Sequence, residues 1–147
     1  MRPAGANDSI HPVREFGMLL NLSQIGQIGL PVIDTDRSEA FYEQVIGLRK
    51  LYRFGDLSFF DCAGVRLFLD KVKEPDKFRP QGCIYFRCAD IVLTVAELEK
   101  RGVRFTLRPR LIAKMDDHDL WMAFFEDPDG HTLAVMQEAP KGYTPTA

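Results

Sequence analysis

Residues 28–34, with the sequence IGLPVID, join an apolar segment to an aspartate placed where a helix would begin. The apolar, β-rich composition over residues 24–32 predicts a strand. The Asp34 carboxylate can accept hydrogen bonds from the free backbone N–H groups of a helix that follows. Apolar spacing over residues 38–46 predicts that helix, and Gly47 predicts its end. Three short strands are expected next, at residues 49–54, 57–62 and 65–72.

The second half of the chain repeats this order of elements. A shift of 56 residues places Val32 on Cys88 and Asp34 on Asp90. A strand is expected at 83–88, a helix at 92–101, and further strands at 103–110, 120–126 and 131–137. We interpret the repeat as an internal duplication, giving an α+β fold of two tandem βαβββ modules at residues 24–72 and 82–138. The alternative is a generic α+β domain whose halves are similar by chance.

The length fits one domain, which we place at residues 24–140. Residues 1–23 are turn-rich at their start and are expected to form a flexible leader. Either this leader was added for expression and Met18 is the natural start, or it is a native arm that packs on a partner subunit. Residues 141–147 are expected to form a C-terminal tail.

Charge and cysteine content disfavour several classes of protein. The 147 residues carry a formal net charge of −2, and nucleic-acid binding is not expected because phosphates attract a basic face. Membrane association is not expected either, because no apolar run approaches the roughly 18 residues of a spanning helix. The three cysteines form no CxxC pair, which favours a reduced, cytoplasmic protein. The three histidines are too far apart for a zinc motif.

Two parts of the chain resemble a known family. Residues 28–34, 39–43 and 46–48 resemble the opening module of the vicinal oxygen chelate superfamily, and FFEDPDGH at 124–131 resembles its closing module. The superfamily contains glyoxalase I, bleomycin resistance proteins, fosfomycin resistance enzymes and extradiol dioxygenases. The resemblance implies two paired modules whose mixed sheets curl around a cleft with the helices outside. It also implies a homodimer, since many members build their pockets between subunits.

The resemblance further implies four metal-ligand positions, which fall on Gln27, Phe68, Cys83 and Ala134. Strand alternation independently places all four on the cleft face. Only Gln27 is a residue that the family's metal enzymes commonly use there, and Cys83 could bind a metal only as a thiolate. We therefore expect no metal and no cofactor. The alternative is a divalent metal bound through Gln27, Cys83 and Asp70.

The cleft face is expected to bind a small molecule. Arg66 and Arg87 could pair with a carboxylate or phosphate beside aromatic walls, or they could form ordinary ion pairs. The candidate ligand-binding residues are Gln27, Arg66, Phe68, Cys83, Tyr85, Arg87, Trp121, Ala134 and Met136. The expected function is metal-independent binding of an anionic or aromatic molecule, in the manner of the bleomycin-resistance branch. The alternatives are a divergent metal-dependent lyase, isomerase or dioxygenase and a non-catalytic dimeric interaction module.

No catalytic residue is assigned, although His131, Cys83 and His118 are residue types that often act in catalysis. Alternation points His131 towards the helices, so we expect it to be structural. Cys83 is expected to be an inert thiol unless His118 lies over the cleft. His118 belongs to an insertion at residues 110–120 that the first module lacks. Such an insertion is either a lid over the pocket or the solvated tip of a hairpin.

Overall fold

A computed structural model describes residues 20–145 of the chain, so most of the expected leader and residues 146–147 lie outside the described part. The first module contains β1 (Gln27–Val32), α1 (Thr35–Ala40), a π-helix (Phe41–Ile46), β2 (Arg49–Phe54), β3 (Leu57–Cys62) and β4 (Val65–Lys71). A short 3₁₀ helix (Pro75–Lys77) leads to the second module. That module contains β5 (Cys83–Arg87), α2 (Ile91–Lys100), β6 (Phe105–Lys114), β7 (Asp119–Glu126) and β8 (Thr132–Ala139).

Each module forms one open four-stranded mixed sheet. The strand order is β1-β4-β3-β2 in the first sheet and β5-β8-β7-β6 in the second. β1 runs parallel to β4 and β5 runs parallel to β8, whereas the other neighbours are antiparallel. The α+β architecture of two tandem βαβββ modules is therefore confirmed. Among the described residues, no helix is long and apolar enough to cross a membrane.

Both helices begin at the aspartate N-caps that the sequence predicts. The Asp34 carboxylate accepts a hydrogen bond from the backbone N–H of Arg37, and Asp90 does the same for Leu93. The two aspartates have nearly the same backbone angles, with φ of −136° and −143° and ψ of 105° in both. These N-caps direct the chain from a sheet edge into the covering helix of each module.

The first helix changes type, which was not expected. After α1, residues Phe41–Ile46 form a π-helix that ends at Gly47 with φ of 88°. Hydrogen bonds in a π-helix span five residues instead of four, so the inward face departs from the 3.6-residue period. The fully buried side chain is consequently that of Tyr42, while Phe41 and Val45 pack only partly against the core.

Glu39 ties α1 to the sheet beneath it. Its carboxylate accepts hydrogen bonds from Ser58 Oγ at 2.6 Å, Lys50 Nζ at 3.0 Å and Arg53 Nη1 at 3.1 Å. Burial alone would raise the pKa of Glu39, but these contacts outweigh it and hold that pKa below its usual value. The first helix is thus clamped to β2 and β3 by a charged carboxylate.

The turn at residues 127–130 joins the two modules. The Asp127 carboxylate accepts a hydrogen bond from the buried Tyr42 hydroxyl at 2.7 Å. Asp129 accepts from the backbone N–H of Ile33 at 3.1 Å. One core contains buried side chains from both modules, so neither sheet is packed independently of the other.

The insertion of the second module forms a hairpin. β6 extends to Lys114, four residues beyond the strand end that we expected, and pairs with β7 as far as Asp119. A hydrogen bond of 2.8 Å from the N–H of Met115 to the carbonyl of His118 closes the turn. The insertion thus forms a hairpin whose tip, residues 115–117, is exposed, as the second of the two expectations describes.

Candidate ligand-binding site

The side of each sheet that faces away from the helices carries the predicted site residues, and we call it the open face. In β1 the side chains of Leu30 and Val32 are buried on the helix side, which leaves Gln27 on the open face. In β4 the buried Leu67 and Leu69 likewise leave the intervening Phe68 there. Alternation along the strands fixes these directions. The open faces are thus the surfaces on which a ligand could be held.

An aromatic row crosses the open face of the first sheet. Strand register places Tyr52 opposite Phe59, Phe59 opposite Phe68, and Phe68 opposite Gly29. The ring centroids of Tyr52 and Phe59 lie 4.6 Å apart, and those of Phe59 and Phe68 lie 5.4 Å apart. The last ring lies so close to β1 that a Cβ atom built on Gly29 would be 2.6 Å from Phe68 Cζ. Glycine is therefore required for the ring to lie there.

A polar row lies beside the aromatic row. Register places Gln27 opposite Arg66, Arg66 opposite Asp61, and Asp61 opposite Arg49. Asp61 accepts a hydrogen bond from the N–H of Gly64 and lies 3.4 Å from the Arg49 guanidinium. Arg66 instead reaches the Tyr52 hydroxyl, with Nη1 3.4 Å from that oxygen. A guanidinium therefore stands at the edge of the aromatic row.

The open face of the second sheet combines aromatic and sulfur-containing side chains. Register places Ala134 between Tyr85 and Phe124, whose rings meet edge to face with centroids 6.0 Å apart. In the next row, Met136 lies between Arg87 and Met122. The Arg87 guanidinium is 3.8 Å from the Glu138 carboxylate. Tyr85, Arg87, Ala134 and Met136 thus lie on this open face, as alternation predicts.

Trp121 does not belong to either open face, contrary to expectation. It lies on the same side of β7 as the fully buried Phe125, packs partly against the core and contacts Tyr143. Residues four apart in a strand point the same way, so the burial of Phe125 fixes the direction of Trp121. The side chains of β7 on the open face are instead Met122 and Phe124.

Tyr52 and Phe59 are site residues that the sequence analysis missed. A β-bulge between Lys50 and Tyr52 shifts the register of β2, and a bulge leaves no clear mark in a single sequence. Phe59 is adjacent to the fully buried Phe60, and two neighbouring aromatics do not show which faces the core. The register of β3 with β4 could have separated them, because Phe59 pairs with Phe68.

Comparison with known proteins agrees with this architecture. The model of the Glyoxalase/Bleomycin resistance protein/Dioxygenase superfamily matches residues 24–135. The chain belongs to this superfamily. Metallothiol transferase FosB from Lysinibacillus sphaericus (strain C3-41) is 28% identical over 117 residues, which cover 76% of this chain and 80% of that protein.

Solved structures of superfamily type share the fold at low sequence identity. Lactoylglutathione lyase from Agrobacterium tumefaciens has a TM-score of 0.67 at 21% identity, covering 84% of this chain and 100% of that chain. TnmS3, an antibiotic binding protein from Streptomyces sp. CB03234, has a TM-score of 0.66 at 22% identity, covering 82% and 99% respectively. Similarity at this level supports the fold and leaves the chemistry to the residues of the site.

The residues at the superfamily's metal positions do not fit a metal ion. Phe68 and Ala134 have no ligand atom, and Gln27 offers only an amide. Burial raises the pKa of the Cys83 thiol, with a smaller opposing effect from Tyr85, and a protonated thiol is a poor ligand. Within residues 20–145, no cluster of three His, Cys, Asp or Glu side chains is arranged to hold a metal ion. No step through a metal can be built on this donor set.

His118 does not lie near Cys83, so the alternative in which it activates that thiol is not supported. Cys83 lies opposite Thr132 at the start of β8, whereas His118 lies near Glu138, with Nε2 3.8 Å from that carboxylate. Six residues of β8 separate these two points, which is about 20 Å at roughly 3.3 Å per residue. The imidazole therefore cannot act as a base for the thiol.

His131 is structural, as alternation predicts. Its side chain is almost fully buried, and its Nε2 lies 2.7 Å from the carbonyl oxygen of Pro31. Its Nδ1 accepts a hydrogen bond of 3.3 Å from the backbone N–H of Gln81. The imidazole thereby connects the two modules and faces away from both open faces.

Proposed function

We propose that the protein binds a small molecule on the open faces of its sheets without a metal ion. The observation that carries the proposal is the presence of Phe68 and Ala134 where metal enzymes of the superfamily usually have glutamates. At both positions an aromatic ring packs beside a small residue instead. The Phe68 ring lies over Gly29, and Ala134 pairs with Tyr85. Apolar surface with a few placed polar groups is typical of small-molecule sites.

The charges beside the rings support an anionic or aromatic ligand. Arg66 and Arg87 are on the open faces, and guanidinium groups bind carboxylate and phosphate through two parallel hydrogen bonds. A cationic ligand would be repelled by both groups. This preference separates the present site from an acidic groove for a cationic drug.

Similar proteins include both binding proteins and enzymes. TnmS3 is described as an antibiotic binding protein, and FosB as a metallothiol transferase. Since one fold supports both kinds of function, the site residues have to decide between them. Phe68 and Ala134 favour binding over metal-dependent transfer.

We further propose that the chain acts as a homodimer in the cytoplasm. Phe54 and Tyr85 are 67% and 49% exposed in the single chain, and exposed apolar patches often mark an interaction surface. A second copy laid against an open face would enclose a bound ligand. The three free cysteines fit a reducing compartment. Light scattering after size exclusion tests the dimer, and a monomeric mass over a wide concentration range would contradict it.

Metal content and ligand binding test the main proposal together. Protein purified without chelator should contain no stoichiometric metal, and a thermal-shift screen of anionic metabolites should give the same stabilising compounds with and without EDTA. Gln27→Ala and Cys83→Ala remove the two side chains that carry a ligand atom at the superfamily's metal positions, while Cys62→Ala, on the helix side of β3, is the matched control. Stoichiometric metal that is lost in the first two variants and kept in the control would overturn metal independence.

A further inference from the structure

We propose that a cavity between the two modules binds an α-amino acid with an apolar side chain. The cavity has a volume of about 500 Å³, which is within the usual range of small-molecule sites. The π-helix of the first module lines it on one side, and residues 101–104 and 126–128 of the second module line it on the other. The residues assigned to the open faces are all different from these, so the inference does not depend on the proposed function.

The wall of the cavity is largely apolar and comes from both modules. Phe41 and Val45 of the π-helix pack only partly against the core, as does Val103, which follows α2. These three side chains line the cavity together with Pro128. An apolar ligand group placed against this wall would be removed from water by both modules, which favours binding. The position also fits the frequent occurrence of π-helical turns at functional sites.

Two of the four charged residues that line the cavity already have protein partners. The Arg101 guanidinium donates to the Glu97 carboxylate at 2.9 Å and to the Val45 carbonyl at 3.0 Å. The Asp127 carboxylate is buried and accepts hydrogen bonds from the Tyr42 hydroxyl and from two backbone N–H groups. These two groups therefore hold the walls of the cavity in place.

The other two charged residues, Arg104 and Glu126, are the groups available to a ligand. Both are exposed, and neither forms a salt bridge or a side-chain hydrogen bond with any residue in the described range 20–145. They flank the register pair of Phe105 and Phe125, at which β6 and β7 begin to pair. One cavity thus has a cation and an anion at its rim that are not within ion-pair distance of each other. This arrangement fits a ligand that carries one charge of each sign.

An α-amino acid joins the three groups that the cavity can recognise. Its carboxylate would accept hydrogen bonds from the Arg104 guanidinium, and its ammonium group would donate to the Glu126 carboxylate. Its side chain would contact the apolar wall. Hydrogen bonds between charged groups are about twice as strong as those between neutral groups. A ligand with a single charge would be attracted by one of the two residues and repelled by the other, so the cavity should prefer the zwitterion.

Calorimetric titration of the full chain with four probes tests the inference. L-phenylalanine carries both charges and a benzyl group, 3-phenylpropanoate lacks the ammonium group, 2-phenylethylamine lacks the carboxylate, and glycine lacks the benzyl group. L-phenylalanine should bind about 10-fold more tightly than either singly charged probe, in line with the strength of hydrogen bonds to charged groups. It should also bind about 10-fold more tightly than glycine, because its benzyl group is buried.

Variants assign each preference to a residue. Arg104→Gln should remove the advantage of L-phenylalanine over 2-phenylethylamine, and Glu126→Gln should remove its advantage over 3-phenylpropanoate. Arg110→Gln is the matched control, because Arg110 is an exposed arginine of β6 six residues further along the chain, which is about 20 Å at roughly 3.3 Å per residue. This control should keep both preferences. Circular dichroism of each variant establishes that it is folded.

The outcomes separate this inference from the proposed function. Equal affinity for L-phenylalanine and the two singly charged probes, or no binding of L-phenylalanine, would overturn the amino-acid site. Preferences that persist in both Arg104→Gln and Glu126→Gln would overturn it as well. If Arg66→Gln removed the preferences instead, the amino acid would be a ligand of the open face, and the proposed function would stand while this inference fails. Metal content and the metabolite screen test the proposed function independently.

Discussion

Replacing Gly29 with alanine probes the contact on which the aromatic row depends. The new Cβ atom would lie 2.6 Å from Cζ and 2.9 Å from Cε1 of Phe68. Carbon atoms pack best at about 3.5–4.0 Å, so the ring must move by roughly 1 Å. Gly29 does not have a positive φ, and its backbone therefore accepts an alanine without strain. The difference in stability from a Gly→Ala change without a clash should therefore come from the displaced ring.

The expected cost is modest because the clash involves the far end of a side chain. A 1 Å displacement at Cζ requires a swing of about 15°, which stays within one rotamer well and costs less than the roughly 0.5–1.5 kcal/mol of a 30° change. The displaced Phe68 ring would also lose part of its contact with Phe59, which adds to the rotamer cost, since overpacking typically costs about 1–3 kcal/mol. We expect Gly29→Ala to lower the free energy of unfolding by about 1 kcal/mol. The midpoint temperature should fall by about 3 °C.

Urea unfolding followed by circular dichroism measures this difference, and Gly26→Ala is the matched control. A Cβ atom on Gly26 meets nothing within 4 Å, so this variant should show only the small stabilisation that a Gly→Ala change brings by restricting the unfolded chain. Combining Gly29→Ala with Phe68→Ala should abolish the cost of the glycine substitution, because the clashing ring is gone. If Gly29→Ala matches Gly26→Ala, or if its cost persists without the Phe68 ring, the ring does not lie over β1. The aromatic row would then end at Phe59.

Three further predictions concern the framework behind the open faces. Tyr42→Phe removes the donor to the Asp127 carboxylate and should cost about 1–3 kcal/mol in urea unfolding; an unchanged midpoint would contradict this contact. Asp90→Ala removes the N-cap of α2 and should cost about 1 kcal/mol; Asp90→Asn should recover most of it, and equal loss in both variants would refute capping. The folded-state pKa of Glu39 lies below its unfolded value, so its stabilisation is present above the unfolded pKa of about 4.3 and is lost as the pH falls through the folded pKa. Glu39→Gln should therefore reduce the dependence of unfolding on pH in that acidic range, and a profile identical to the parent's would rule out the ionised clamp.

The elements that the sequence predicted best are those fixed by local chemistry. Asp34 and Asp90 stand at helix N-caps, and the turn at residues 127–130 connects two strands, because these residue types satisfy particular backbone groups. Strand alternation also placed Gln27 and Phe68 on the open face, since buried neighbours on each strand determine the direction of the rest.

The errors arise where non-local packing overrides local pattern. Trp121 and Phe124 are both aromatic, and only the burial of the whole β7 face shows which of them points away from the core. The π-helix shifts the buried position to Tyr42, whose hydroxyl is held by a carboxylate 85 residues away along the chain. Such a partner cannot be identified from helical periodicity. The aromatic row required the register of three strands and therefore could not be predicted either.

In both modules an aromatic ring packs beside a small residue where the superfamily's metal enzymes usually have a glutamate. The strand that supplies the ring and the strand that supplies the small residue are exchanged between the two modules. In the first module β1 supplies the small residue, Gly29, and β4 the ring, Phe68. In the second module β5 supplies the ring, Tyr85, and β8 the small residue, Ala134.

Restoring the usual glutamates would therefore disturb each module in a different way. Phe68→Glu would remove a ring from the aromatic row and leave Phe59 without its stacked neighbour. Ala134→Glu would replace a fully buried methyl group between Tyr85 and Phe124 with a longer side chain, which would have to push the two rings apart. The packing around both positions thus opposes a chelate, which supports metal-independent binding more strongly than two missing ligand atoms would alone.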